Sequence, residues 1–197
     1  MTSLRAGFEE MVWQRVLAAD VRLLLMVRRW ESHFMTRVMR SLTHLGDPAS
    51  WVVLGLALGL SGGDGPRYCT LLGTAAGLAL AGSQALKRLC CRSRPSSGIG
   101  GFAALAENPD AFSFPSGHTA VAFAVAAAFT GQSSALGGLA VVLAVGIAVS
   151  RVYLGAHYPL DVAAGAALGI LSGVAASLLV ELPFLTLLAY AKPAAAF

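Results

Sequence analysis

Phe114-Pro115-Ser116-Gly117-His118-Thr119 runs without a break into the apolar stretch Ala120 to Phe129. Those sixteen residues decide how the chain is read. Ala120 to Phe129 has no polar face, so it forms a helix buried in protein or in lipid. Pro115 prevents the helix from extending backwards, and Ser116 is a good N-cap. Gly117 lets another group approach the backbone closely. His118 therefore falls in the first turn, beside free backbone N–H groups and the positive end of the helix dipole. Such a helix start binds anions, phosphate above all. A titratable histidine there suits acid–base or nucleophilic work on a phosphate ester. Taken alone, the stretch also fits a Ser-capped helix with an incidental histidine.

Working outward, composition places the chain in a membrane. Of 197 residues, 56% are hydrophobic and 12% charged, against about 25% charged in soluble proteins. Mean hydropathy is +0.70. Gly, Ala and Leu dominate the apolar runs, as where helices pack closely through small residues. The net charge of +4 does not point to nucleic acid, because the basic residues cluster near the N-terminus and around a few motifs. Membrane phosphates or a phosphate substrate account for them. Cys69, Cys90 and Cys91 show no zinc spacing and read as small buried hydrophobes. The N-terminus lacks the clean apolar region of a cleavable signal peptide.

The sequence predicts an all-α polytopic bundle of about five spanning helices, with two regions in one domain. Residues 1–47 read as amphipathic interfacial helices, with Trp13 and Trp30 at headgroup level. Residues 48–197 form the bundle. Gly46-Asp47-Pro48 is a break, and a short apolar helix follows to about Leu60. Ser61 to Pro66 is a turn. A second helix covers about Arg67 to Leu89, with Gly73, Gly77 and Gly82 expected at tight helix contacts. The third runs from Ser116 to about Gly131, the fourth from Ala135 to Val149, and the fifth from Pro159 to Leu182, where Pro183 is expected to end it. Ser96 to Ala111 reads as a loop, with Glu107 and Asp110 as solvated charges. His33, His44, Tyr153 and Tyr158 read as interfacial or packing residues, and Arg88 and Arg92 as headgroup anchors.

Three polar patches remain: Lys87 to Pro95, Pro115 to His118, and Ser150 to Asp161. Counting helices in an up-and-down bundle brings all three to one membrane face. Charges at membrane-helix ends are costly without water or partners, so the convergence marks a site. Lys87 and Arg94 are seven apart and can face one side over two helical turns. His157 and Asp161 are four apart, so the carboxylate can reach one imidazole nitrogen, fix the tautomer and leave the other nitrogen free to attack. Lys87, Arg94 and Arg151 supply positive charge for a transferring phosphoryl group. His118 is left to protonate the leaving oxygen.

Lys87, six residues, Arg94-Pro95; Pro115-Ser116-Gly117-His118; Ser150-Arg151, three residues, Gly155, one residue, His157, three residues, Asp161. This pattern resembles the type 2 phosphatidic acid phosphatase superfamily, which also holds vanadium haloperoxidases and glucose-6-phosphatases. The resemblance covers about residues 87 to 161. It implies His157 as a nucleophile forming a phosphohistidine, Asp161 as its partner and His118 as the general acid. It implies Lys87, Arg94, Ser116, Gly117 and Arg151 as phosphate ligands, with no metal or cofactor. Membrane members commonly have six spanning helices, and here the first is replaced by the amphipathic N-terminus.

The function expected from the resemblance is a metal-independent membrane lipid phosphatase, its partners being a lipid phosphate and membrane lipids. Bacterial relatives act on undecaprenyl diphosphate, phosphatidylglycerophosphate, phosphatidic acid or lipid A. Two alternatives are a vanadate-dependent haloperoxidase-like enzyme, which the hydropathy opposes, and a non-enzymatic scaffold or lipid transporter, which the intact His118, His157 and Asp161 oppose. Halide oxidation with added vanadate separates the first, and phosphate release the second. The expected location is the bacterial inner membrane. Seven arginines precede Pro48 and put the N-terminus and the site on the cytoplasmic face by the positive-inside rule, although many relatives work on the outer face.

Overall fold

The computed structural model describes residues 2–106 and 110–191. Its elements are α1 (Thr2–Arg28), α2 (His33–Leu45), α3 (Pro48–Leu60), α4 (Gly65–Cys90), the single turn α5 (Pro95–Gly98), α6 (Gly117–Thr130), α7 (Ser134–Tyr153) and α8 (Pro159–Ala191). The fold is all-α. Gly65–Cys90, Ala135–Tyr153 and Pro159–Leu182 are long and apolar enough to cross a membrane; Pro48–Leu60 and Gly117–Thr130 are apolar but shorter.

α6 is the axis of the bundle. It packs against α4, α7 and α8. Its valines and all its alanines but Ala127 are buried, so its uniformly apolar sequence serves protein contact. The tightest seam is with α8. A Cβ added at Gly165, Gly169 or Gly173 would lie 2.5, 2.3 and 2.3 Å from the carbonyl oxygens of Ser116, Ala120 and Ala124. Glycine at every fourth position lets the two backbones touch, the small-residue packing used inside membranes. The glycines of α4 behave differently from expectation. Gly82 meets Leu168, but a Cβ at Gly73 or Gly77 would meet nothing within 4 Å. They line open space between α3 and α4.

Helix ends follow local chemistry. Ser116 caps α6 through its hydroxyl, which accepts the Thr119 N–H, and Pro48 opens α3. α4 stops where Cys91 takes a left-handed conformation (φ 46°) and returns its N–H to the Lys87 carbonyl. Two boundaries differ from expectation. α7 continues to Tyr153, which puts Arg151 on its last turn. α8 passes through Pro183 to Ala191, since a proline costs one hydrogen bond that membrane helices absorb locally.

The N-terminal region is two helices. α2 packs on α7 and α3, and α1 on α7 and α8. α1 turns Asp20 and Leu24 inward, while Leu17, Leu23, Leu25 and Met26 face outward. Trp13 and Trp30 are exposed.

Candidate active site

The ends of α2, α4 and α7 and the starts of α3, α6 and α8 meet at one end of the bundle. There they enclose a cavity of about 1050 Å³ lined by Lys87, Arg94, Asp110, Gly117, His118, Arg151 and His157. The cavity continues between α3 and α4 past Trp51, Leu56, Leu72, Gly73 and Gly77. One end is therefore cationic and the rest apolar.

His157 is 1% exposed, in the loop before α8. Its Nδ1 lies 2.7 Å from the Ser113 carbonyl oxygen. A carbonyl only accepts, so Nδ1 carries the proton and Nε2 carries the lone pair. Nε2 faces Arg94 Nη1 at 3.5 Å. Burial, reinforced by Arg151 and Arg94 and opposed by Asp161, holds the imidazole down at about 4, so it is neutral near pH 7. The turn that presents it needs Gly155: its φ is +71°, and a Cβ there would strike the Phe102 ring at 2.6 Å.

Asp161 sits in the first turn of α8 but departs from the expected hydrogen bond. Its Oδ2 is 3.7 Å from His157 Nδ1, an electrostatic contact that is too long for a hydrogen bond. The Ser113 carbonyl is closer and sets the tautomer instead. Asp161 Oδ2 accepts the Ser113 hydroxyl and, at 2.9 Å, the Tyr158 N–H. Its Oδ1 accepts from Arg92 Nη1 at 2.5 Å.

Lys87 and Arg94 are brought together, though not by two turns of one helix, because α4 ends at Cys90 and Arg94 stands in the extended segment before α5. What joins them is Asp110. One of its carboxylate oxygens accepts from Lys87 Nζ and the other from Arg94 Nη2. Asp110 is thus no solvated loop charge, and its two cations hold its carboxyl below the usual range despite partial burial. Glu107 lies outside the described residues. Arg94 also donates to the carbonyls of Asp110 and Ala156, both at 2.8 Å. Arg151 Nη1 donates to the Thr43 hydroxyl of α2 at 2.7 Å.

His118 Nε2 lies 2.9 Å from Asp47 Oδ1, and the other oxygen of Asp47 meets His44 Nδ1 at 2.9 Å. Ser116 is fully buried behind the cavity. Its hydroxyl accepts from Thr119 and its N–H donates to the Asp161 carbonyl at 2.9 Å. It builds the helix start, while Gly117 faces the cavity.

Sequence reasoning missed Asp47, Asp110, Arg92 and Asp20. Asp47 and Asp110 looked like turn and loop residues. Arg92 looked like an anchor, although its place two residues before Arg94 was a usable signal. Asp20 had one too: an acid directly after the apolar run Val16 to Ala19.

The motif spacing now has its geometry, and the comparison with known proteins agrees with it. The sequence model of the PAP2 superfamily matches residues 68–183, more than half the chain. This protein belongs to the PAP2 superfamily. Decaprenylphosphoryl-5-phosphoribose phosphatase of Mycobacterium tuberculosis is 37% identical over 136 residues, 68% of this chain and 75% of the relative. Among solved structures, the transmembrane PAP2 type phosphatidylglycerolphosphate phosphatase of Bacillus subtilis superposes with a TM-score of 0.67 at 28% identity, covering 85% of this chain and 87% of that one. Aquifex aeolicus LpxE superposes with a TM-score of 0.71 at 25% identity, covering 79% and 93%. As in those PAP2 relatives, the bundle belongs in a membrane, and the cationic end of the cavity lies within the matched segment.

Proposed function

We propose that this PAP2 protein is a membrane lipid phosphatase that hydrolyses a lipid phosphomonoester or an isoprenoid diphosphate through a phosphohistidine. The observation that carries the reading is the shape of the cavity, with Lys87, Arg94, Arg151 and two histidines at one end and an apolar groove between α3 and α4 at the other. A phosphorylated headgroup and a long hydrocarbon chain fit those two ends in that order. The phosphatases among its relatives support the same class of substrate.

In the proposed reaction the lipid phosphate takes Lys87 and Arg94 from Asp110, and Arg151 and the Gly117 backbone complete the anion site. His157 Nε2 attacks phosphorus along the line of the leaving oxygen. The bond from phosphorus to the lipid oxygen breaks, and that oxygen takes a proton from His118. The positive charge left on phosphorylated His157 faces Asp161. A water molecule then gives a proton to His118 and its oxygen attacks phosphorus, releasing inorganic phosphate and neutral His157. Asp47 accepts the His118 Nε2–H throughout, so His118 enters the cycle as the imidazolium, gives its Nδ1 proton to the leaving oxygen and regains one there from the attacking water.

Phosphate release from purified protein, measured across a panel of phosphatidic acid, phosphatidylglycerophosphate, undecaprenyl diphosphate and a decaprenyl phosphosugar phosphate, tests this. Release from at least one long-chain substrate, lost in His157→Ala, is expected. A wild-type protein that releases phosphate from none of them would overturn the reading.

A further inference from the structure

The turn between α2 and α3 touches the cavity twice. Thr43, buried near the end of α2, accepts from Arg151 Nη1 at 2.7 Å. Asp47, in the turn itself, has its Oδ1 2.9 Å from His118 Nε2. The turn is pressed against that imidazole: a Cβ added at Gly46 would lie 3.3 Å from His118 Cδ2 and 3.0 Å from Ile147 Cγ2. Side chains of α3 hold the turn closed. The Trp51 indole donates to the Gly46 carbonyl at 3.1 Å, and the Ser50 hydroxyl to the His44 carbonyl at 2.7 Å. The second oxygen of Asp47 lies 2.9 Å from Nδ1 of His44, which is exposed. The turn precedes residue 68, where the segment that the family matches begins.

We propose that Asp47 is a positioning residue for His118, and that it divides its carboxylate between His118 at the site and His44 at the surface. The proposal rests on the reading of His118 as general acid and adds what makes it one. A carboxylate only accepts, so it keeps a proton on Nε2 and leaves Nδ1 for the leaving oxygen. It also supplies charge. Lys87 and Arg151 line the same end of the cavity. A protonated ring beside two cations is costly unless a carboxylate lies against it. Once Nδ1 has given up its proton, the neutral ring still holds Asp47 through Nε2–H. It therefore keeps its orientation for the proton that water returns. His44 draws on the same carboxylate from outside, so removing His44 leaves Asp47 to His118 alone.

The groups facing His118 are Asp47 from the turn, Arg151 of α7 and Lys87 of α4. Arg94, Asp110 and His157 line the same cavity, and His44 acts through Asp47.

The test compares wild type, Asp47→Asn, Asp47→Glu and His44→Ala, each as the full chain in detergent. Asn keeps an acceptor for Nε2–H and removes only the charge. The chain has four histidines. In protein made with 15N-labelled histidine, the ring nitrogens of His118 are therefore followed singly by NMR as pH changes, and assigned by their loss in His118→Gln. The second readout is kcat/KM on a lipid phosphomonoester and on p-nitrophenyl phosphate. In Asp47→Asn the His118 midpoint is expected to fall by about 1 pH unit. The lipid-to-aryl ratio should fall by at least about tenfold, the signature of a weakened general acid. Asp47→Glu, which keeps the charge, should hold its midpoint above that of Asp47→Asn. A turn that merely supports the fold would lose both substrates alike. An unmoved midpoint in folded Asp47→Asn, or equal losses on the two substrates, would overturn the proposal. If Asp47→Asn does not survive purification, His44→Ala decides: a raised midpoint supports the proposal, and an unchanged or lowered one defeats it. The midpoints are read without turnover, so a wild type inactive as a phosphatase would remove the functional reading alone.

Discussion

At the scale of single residues, the two histidines differ in what surrounds them. His157 is buried with its Nδ1–H on the Ser113 carbonyl, while His118 lies against Asp47. Their proposed roles differ accordingly. His157→Ala should abolish turnover of every substrate, and the wild type should yield an acid-labile phosphoprotein that the variant does not. His118→Ala should depend on the leaving group. A lipid alkoxide needs a proton to leave, whereas p-nitrophenolate does not. General acid catalysis is worth about 10²–10⁴-fold, so the ratio of lipid to aryl kcat/KM in this variant should fall by at least about tenfold. Equal losses on both substrates would remove the acid assignment. Asp110 offers a third test. Its carboxylate occupies Lys87 and Arg94, so any phosphate must compete with it. In Asp110→Asn the competition weakens, and the inhibition constant for vanadate should drop several-fold. A higher constant would mean that Asp110 chiefly keeps the two cations in place.

At the scale of elements, the glycines fall into two groups with opposite purposes. Gly165, Gly169 and Gly173 let α8 lie on the α6 backbone. Gly169→Leu should therefore overpack the seam and lower stability by about 1–3 kcal/mol, seen as a lower Tm in detergent. Gly73 and Gly77 keep the groove between α3 and α4 open. Gly77→Leu should leave Tm and aryl phosphate turnover unchanged and raise KM for long-chain lipid phosphates. A matched loss on aryl and lipid substrates would show that the groove does not take the chain. A run of spaced glycines in a membrane helix is legible in sequence. Whether it contacts a neighbour or faces a void is not, because that depends on which side of the helix the neighbour packs.

At the scale of the whole molecule, the site lies at one end of the bundle with the C-terminal end of α4, where Cys90 and Cys91 are exposed. These thiols report which membrane face the site occupies. With Cys69 replaced by serine, a membrane-impermeant maleimide added to intact cells should leave the protein unlabelled if the site is cytoplasmic, as the seven arginines before Pro48 suggest. Labelling of intact cells would place it outside. The helices and the residues that the three motifs bring to the cavity were readable from sequence, because apolar runs, caps and breakers act within a few residues of chain. Lys87, Arg94, Arg151, Gly117, His118 and His157 needed only the count of helices to be brought to one end. The carboxylates were another matter. Asp20, Asp47 and Asp110 come from α1, a turn and a loop, far from their partners Arg92, His118 and Lys87 along the chain. Their significance comes from burial beside a cation or a ring, and only the packing of α1, α2 and the loop onto the bundle creates that. The same packing decided that the Ser113 carbonyl, and not Asp161, sets the tautomer of His157. Spacing can bring a carboxylate within reach of an imidazole, but the carbonyl that takes the Nδ1–H belongs to another segment.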